Sequence, residues 1–172
     1  MPRTAMWTGE RDQGWLAPCR HAEGRLALHA PELPGTGRPM FLNPHPVRQR
    51  RAMALMLCDI CAKPLRNRTK HLLSPGRYVV VGDRALRGYQ EPCVCADCLP
   101  LARQWCPHVQ RLEPWPPPIM RRYKTMCCVL AVAAFAEIAG KGDYPKPAVG
   151  YVKLYMPEEA VVAQTRARKV QR

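Results

Sequence analysis

The chain has 172 residues, which is enough for one compact domain with an additional segment and short for two full domains. Its 19 prolines and 11 glycines predict many turns, and its two phenylalanines exclude a large aromatic core. The net charge of +14 is compatible with binding to nucleic acid, although the excess of arginine over lysine is also what GC-rich coding produces.

Residues 1–45 are predicted to form an irregular N-terminal arm, because no periodic pattern runs through them. Prolines and glycines interrupt this segment, among them Pro18, Pro31, Pro34, Pro39, Pro44, Gly35 and Gly37. Within the arm, Leu26–His29 could be a short strand. The arm carries a net charge of only +1.

Residues 46–112 are predicted to form the central module of the protein. A helix is expected after Pro46, over residues 48–56, and a second helix over residues 99–106, with Pro100 in its first turn. Residues 78–81 predict a strand between two turn signals, and residues 90–94 predict a second extended piece.

The remaining residues divide into a spacer and a C-terminal appendage. Residues 113–118 are rich in proline and predict a stiff spacer. Residues 119–172 predict a β-β-α order. The first strand is expected at about 123–136, although the many alanines there are also compatible with a helix. The second strand is expected at 149–155, and a basic helix begins at Pro157.

Two Cys-x-x-Cys pairs give the strongest chemical signal in the chain. They are Cys58 with Cys61 and Cys95 with Cys98. A two-residue spacer lets a tight turn direct both sulfurs at one ion, so four such thiolates predict a structural Zn²⁺ site. The chain has no apparent secretory signal, so we expect reduced thiols and a cytoplasmic location. The most apolar run, residues 126–136, is too short to span a bilayer, which takes about 20 residues.

The other cysteines allow further interpretations. Cys93 could substitute as a ligand or could simply be a small strand residue. Cys127 and Cys128 are expected to be core residues, because adjacent side chains of a strand face opposite ways. Two Cys-x-His pairs could also meet and form a second metal site of two cysteines and two histidines: Cys19, His21, Cys106 and His108.

A cysteine knuckle, a hairpin and a second cysteine pair at the start of a helix together resemble the treble-clef class of zinc modules. The resemblance covers residues 57–108, and in it the four Cys-x-x-Cys cysteines match the ligand positions. The fold class expected is therefore α+β: a small zinc-stabilised, treble-clef-like module with an irregular arm and a C-terminal β-β-α appendage.

The same region also resembles the HNH nucleases, in which a histidine lies between two cysteine pairs. His71 occupies that place and would activate water beside a divalent ion. However, Lys70 stands where the family has an acidic metal ligand, and Leu99 stands where it has asparagine. The alternative is that His71 is a solvated loop residue, and we expect a protein that is not an enzyme.

A longer stretch, residues 37–53 leading into Cys58 and later residues 105–108, resembles a group of uncharacterised proteins from actinobacteria and their phages. This resemblance implies a zinc-binding module over residues 37–112. It assigns no activity to any residue.

We expect a zinc-stabilised basic protein that binds nucleic acid, with DNA as the expected ligand, in a regulatory or accessory role. The cations expected to contact phosphate are Arg48, Arg50, Arg51, Arg66, Arg68, Lys70, Arg166, Arg168 and Lys169. For Arg48, Arg50 and Arg51, the alternative is that they form a solvated face of the predicted helix. The competing function is an interaction adaptor, such as a phage accessory factor that docks on a DNA-processing enzyme through Trp7, Trp15 or Trp115.

Overall fold

The computed structural model describes residues 1–11, 14–81, 83–113, 115–117, 119–120, 123–130 and 147–157. The described segments form a mixed α+β fold in which strands predominate. Ten strands occur in them: β1 (Ala5–Trp7), β2 (Trp15–Pro18), β3 (Leu26–His29), β4 (Pro39–Pro44), β5 (Lys70–His71), β6 (Arg77–Val81), β7 (Arg84–Tyr89), β8 (Val94–Cys95), β9 (Lys124–Val129) and β10 (Val149–Pro157). The helices are α1 (Pro46–Ala54), α2 (Leu99–Trp105) and α3 (Pro107–Gln110).

The main sheet of the described residues is organised around β10. One edge of β10 pairs with β9 antiparallel over most of its length. The other edge pairs with β7 antiparallel and, at Val149, with β3 parallel. Strand β6 then pairs with β7 and β2 with β3, which gives the order β2-β3-β10-β7-β6 with β9 beside β10. The pairs β1–β4 and β5–β8 form two small separate sheets.

Helix α1 joins the N-terminal strands to the C-terminal strand through polar side chains. The Gln49 side chain donates to the carbonyl of Val152 (2.6 Å) and accepts from the Val152 N–H (3.2 Å). The Arg50 guanidinium donates to the carbonyls of Gly150 (2.7 Å) and Leu28. Both side chains are fully buried, so these bonds replace water inside the protein and fix α1 against β3 and β10.

The structure confirms five predicted elements: the helix after Pro46, the strand over 78–81, the helix after Cys98, the strand at Leu26–His29 and the strand over 149–155. Residues 123–130 contain the strand β9, so the β interpretation of that segment holds where it is described. The predicted C-terminal helix lies outside the described residues.

Two expectations about organisation need correction. Residues 1–45 are not irregular, since β1 to β4 lie within them and β2 and β3 belong to the main sheet. The C-terminal segment is not an appendage, because β10 is the central strand that β3, β7 and β9 pair with. Short strands broken by proline have too few residues to show a periodic pattern, and pairing between distant segments leaves no local signal.

None of the helices in the described segments has the length and apolar character required to cross a bilayer.

Candidate metal centre

The first cysteine pair lies in a tight turn directly after α1. Leu57 and Pro64 form an isolated β-bridge, and the Cys58 N–H donates to the carbonyl of Lys63 (2.9 Å). The Ala62 N–H donates to the Cys58 carbonyl (2.9 Å), and Ala62 has a φ of 58°, in the left-handed region. This reversal closes the loop around Cys58 and Cys61 and lets both sulfurs face the same point.

The second cysteine pair lies where a strand becomes a helix. Cys95 ends β8, which pairs with β5, and residues 96–98 form one turn of 3-10 helix that continues into α2. The Cys95 N–H points back at the Sγ of Cys58 (3.4 Å). The backbone therefore brings the two pairs together although they are more than 30 residues apart.

The four sulfurs form a compact group. All of them lie within 4.8 Å of one another, and the Sγ atoms of Cys61 and Cys95 are 3.9 Å apart. Cys58, Cys95 and Cys98 are buried and Cys61 is half-buried. Four thiolates at about 2.3 Å from one ion, in a tetrahedron, have sulfurs just under 4 Å apart, so this group has the size of a metal site.

The surroundings of the thiols differ, and their pKa values differ accordingly. Burial raises the pKa of Cys58 and of Cys98. At Cys61 burial also acts to raise the pKa, but hydrogen bonds from the Lys63 N–H and from neighbouring thiols outweigh it and lower the pKa to about 7. Cys61 is thus deprotonated more easily than Cys58 or Cys98.

Asp59 ties the cysteine turn to the rest of the molecule. Its carboxylate accepts the Thr4 N–H (3.1 Å), its carbonyl accepts the Arg3 N–H (2.6 Å), and its own N–H donates to the Cys93 carbonyl (3.0 Å). The sulfur group also adjoins the main apolar core, which includes Met53, Leu72 and Leu154. A metal bound here would connect the N-terminal residues, α2 and the sheet.

The predictions for the other cysteines have different outcomes. Cys93 lies outside the sulfur group, directly before β8, and is buried with its Sγ 3.8 Å from the Met120 Sδ, so it packs in the core and is not one of the four clustered thiols. Cys127 packs against the core, whereas the Cys128 Sγ lies 3.8 Å from the Tyr155 hydroxyl, so the two side chains do face opposite ways. The second metal site is not formed, since within the described residues the only such group is the one at Cys58: Cys19, His21, Cys106 and His108 are not brought together.

The prediction that Arg48 and Arg50 contact phosphate, or form a solvated face, needs correction. Arg48 is 7% exposed and Arg50 is 0% exposed. Arg48 forms two hydrogen bonds with the Glu10 carboxylate (2.6 and 2.7 Å), and Arg50 binds backbone carbonyls. An arginine side chain on α1 is long enough to reach neighbouring segments, and the sequence of the helix does not reveal those partners.

The remaining predicted cations have mixed placements. Arg66 and Arg68 are exposed in the loop before β5, and the Lys70 Nζ donates to the carbonyls of both (3.2 Å each). Arg68 also lies 3.3 Å from the exposed carboxylate of Asp97, and Arg51 pairs with Glu32 (2.8 Å). Arg166, Arg168 and Lys169 lie outside the described residues.

His71 is not a solvated loop residue. It lies in β5, is 4% exposed, and its Nδ1 is 3.0 Å from the carbonyl of Pro117. Its backbone pairs with Val94 on one side and forms a bridge with Ile119 on the other. The Pro-rich segment therefore packs over this histidine, which the sequence could not indicate because the two are 46 positions apart.

A groove of about 460 Å³ runs beside the cysteine module. Its walls include the exposed apolar side chains of Met1, Phe41, Leu101 and Trp105, the last 59% exposed. The sequence does not indicate this groove, because its walls come from seven segments that are distant along the chain. Two further exposed arginines, Arg77 and Arg84, lie at the first positions of β6 and β7 and are not among the cations expected from the sequence.

Comparison with known proteins gives no match to this chain: no family model, no curated protein and no solved structure is similar to it.

Proposed function

We propose that Cys58, Cys61, Cys95 and Cys98 bind one structural Zn²⁺. The support is the group of four sulfurs within 4.8 Å, three of them buried, which is the ligand set of a closed structural zinc site. The module fits a treble-clef-like arrangement, with the first pair in a knuckle and the second at the start of α2. The positive end of that helix favours thiolates. Element analysis of purified protein should give one zinc per chain, and Co²⁺ substitution should give the absorption of a tetrahedral thiolate site.

We further propose that this zinc-organised protein binds nucleic acid in an accessory, non-catalytic role, and that it belongs in the cytoplasm of an actinobacterial or phage-infected cell. The observation that carries the proposal is the pair of exposed arginines, Arg66 and Arg68, held on the loop between the first cysteine pair and β5. Residues 46–113 have twelve Lys or Arg against five acids, a net charge of +7. Phosphate contacts by such cations release counterions.

Fluorescence anisotropy with labelled duplex, single strand and RNA at several salt concentrations tests this function. Affinity should fall steeply with salt, and replacing Arg66 and Arg68 together by alanine should reduce the slope by about 2 for a duplex. Arg38→Ala is the control, because it removes an exposed arginine that lies outside residues 46–113 and should leave the slope nearly unchanged. Absence of binding at low salt would contradict the proposal.

The adaptor function remains a second candidate because of the groove beside the cysteine module. Four exposed apolar side chains converge on it, and such clusters are typical of protein-binding surfaces. Under this function a partner would bind with an affinity that survives moderate salt and falls in Trp105→Ala. The anchors expected from the sequence were Trp7, Trp15 and Trp115. Of these Trp15 is clearly exposed, at 46%.

A degenerate HNH-type nuclease is the least supported candidate. His71 is buried against the Pro117 carbonyl, and a general base needs to reach a water and a substrate. This function predicts metal-dependent nicking of DNA that is lost in His71→Ala, and a nicking assay with Mg²⁺ or Mn²⁺ would detect it.

A further inference from the structure

We propose that strands β6 and β7 form a stacking platform for single-stranded nucleic acid, on which the ring of Tyr78 receives a base. The inference rests on the nucleic-acid function proposed above and adds the form of the ligand and the surface that binds it. None of the residues involved belongs to the metal centre or to the cations expected from the sequence.

The platform is an exposed edge of the main sheet. Among the described strands β6 pairs only with β7. Tyr78 is 55% exposed and Val80 is 75% exposed, and the two share one face of β6 because side chains alternate along a strand. The Tyr78 ring is thus accessible on this face of the described sheet.

The ring is held in place by a cation. Arg87 lies directly across from Tyr78 in the β6–β7 register. Its guanidinium carbon is 4.3 Å from the ring centroid, and it donates a hydrogen bond to the Tyr78 hydroxyl. A ring oriented in advance in this way loses little side-chain freedom when a base stacks on it, and the nearby positive charge favours a polyanion.

The charges of the two strands are complementary to a phosphate backbone. β6 and β7 contain three arginines and no acidic residue. Arg77 and Arg84 are exposed and alternate to the face opposite Tyr78. Because β6 is the edge among the described strands, a backbone that follows it passes close to arginine side chains from both faces. Tracking of phosphates by cations beside an aromatic ring is the usual combination in single-strand binding.

The alternatives fit these observations less well. In a duplex, neighbouring bases cover the faces of each base, so an exposed ring has no base face to contact. A second copy pairing through β6 would bring the arginines of two β6–β7 pairs close together, and like charges in adjacent strands are destabilising. A single-stranded nucleic acid can stack a base on the Tyr78 ring and also place its phosphates near the arginines.

Anisotropy titrations of the full chain with a labelled oligothymidine of about 12 nucleotides, and with the same oligonucleotide lacking its bases, test the proposal. Tyr78→Ala should weaken binding of the intact oligonucleotide by about 5- to 150-fold without changing the salt slope, because a stacking contact is lost and no phosphate contact. Tyr78→Phe keeps the ring and should retain most of the affinity. Removal of the bases should weaken wild type but have little further effect on Tyr78→Ala.

Several results would overturn the inference. If Tyr78→Ala binds as wild type does while the double substitution of Arg66 and Arg68 weakens binding, the nucleic-acid function stands and the platform is wrong. If wild type binds no nucleic acid, both fail. Equal loss of affinity for intact and base-free oligonucleotides would also exclude stacking. A dimer in sedimentation that Tyr78→Ala abolishes, with no effect of base removal, would assign the edge to a second copy of the chain. Because Tyr78 is exposed, all variants should keep the wild-type Tm.

Discussion

Glu10 and Arg48 form an ion pair inside the protein although they are 38 positions apart in the chain. Both side chains are nearly inaccessible to solvent, and the carboxylate also accepts the N–H groups of Trp7 (2.8 Å) and Leu33 (2.7 Å). Burial acts to raise the pKa of Glu10, but Arg48 and the two backbone donors outweigh it and lower the pKa to about 2. Both oxygens of this carboxylate are therefore engaged, and their bonds to Arg48 hold α1 against the N-terminal segment.

This pair makes stability depend on acid in a predictable direction. The pKa of Glu10 is about 2 in the folded protein and near 4.5 in the unfolded chain, so the unfolded chain takes up the proton first. The stabilisation, about 3 kcal/mol, is complete above pH 4.5 and is lost as the pH falls toward 2. Denaturant unfolding of wild type and Glu10→Gln should show a difference that shrinks over this range.

Measuring the difference between the two proteins removes the effect of acid on the cysteine site, which both share. A difference that stays constant between pH 5 and pH 2.5 would contradict the assignment. Arg48→Ala at neutral pH should cost about 3–5 kcal/mol, because it leaves the Glu10 charge buried without its partner.

Substitutions of two different cysteines should have different effects on stability and metal content. Cys58→Ser should prevent zinc binding and unfold the central module, because the metal site and the apolar core share this side chain. Cys127→Ser, at a half-buried position outside the sulfur group, should cost only about 1 kcal/mol and keep the zinc. Metal content and Tm of the two variants check this. Equal losses would contradict the proposed ligand set.

Within the first cysteine turn, Ala62 adopts a left-handed conformation that only glycine adopts without cost. That conformation costs a residue with a side chain about 1–2 kcal/mol, and the greater freedom of glycine in the unfolded chain offsets part of the gain. Ala62→Gly should therefore stabilise the protein by up to about 1 kcal/mol. Ala62→Val is the matched control and should destabilise it, as measured by denaturant unfolding.

At the scale of elements, the sequence predicts those parts whose signals are local. Pro46 before a helical stretch predicts α1, the valines after Tyr78 predict β6, and alternation predicts β10. The spacing of cysteines predicts the sulfur group because two tight turns suffice to form it. The strand β7 is not expected from the sequence, because Gly88 and two arginines weaken its strand pattern. Of the extended piece expected at residues 90–94, only Val94 lies in a strand, β8.

What the sequence could not predict depends on distant contacts. Nothing in α1 indicates that Arg50 would be buried, because its partners are carbonyls of Leu28 and Gly150. Backbone carbonyls are present at every residue and so leave no signature in the sequence. The burial of His71 depends in the same way on a carbonyl, that of Pro117.

For the whole molecule, the central place of β10 predicts that the proposed zinc module does not fold alone. Leu154 and Val152 are buried in the same core as Cys58 and Cys95, and Gln49 depends on Val152 for its hydrogen bonds. A chain ending at residue 112 should therefore lack cooperative unfolding even with Zn²⁺, as judged by near-UV circular dichroism. A chain ending at residue 157 retains all the described strands and is the control. A stable 1–112 fragment would contradict this.

Removal of the metal should act on the same core. We expect a strong chelator to lower Tm or unfold the protein, and added Zn²⁺ to restore it, since the binding free energy of a structural zinc contributes to folding. The effect should be absent in chains already carrying Cys58→Ser. A chelator that leaves Tm unchanged would contradict a structural role for the site.

Strand β10 is synthesised after each of the strands it joins. On the ribosome, β3, β7 and β9 leave the exit tunnel first and have no central strand to pair with until residues 149–157 follow. The polypeptide thus remains incompletely assembled through most of its translation, with the edges that β10 later covers open to solvent.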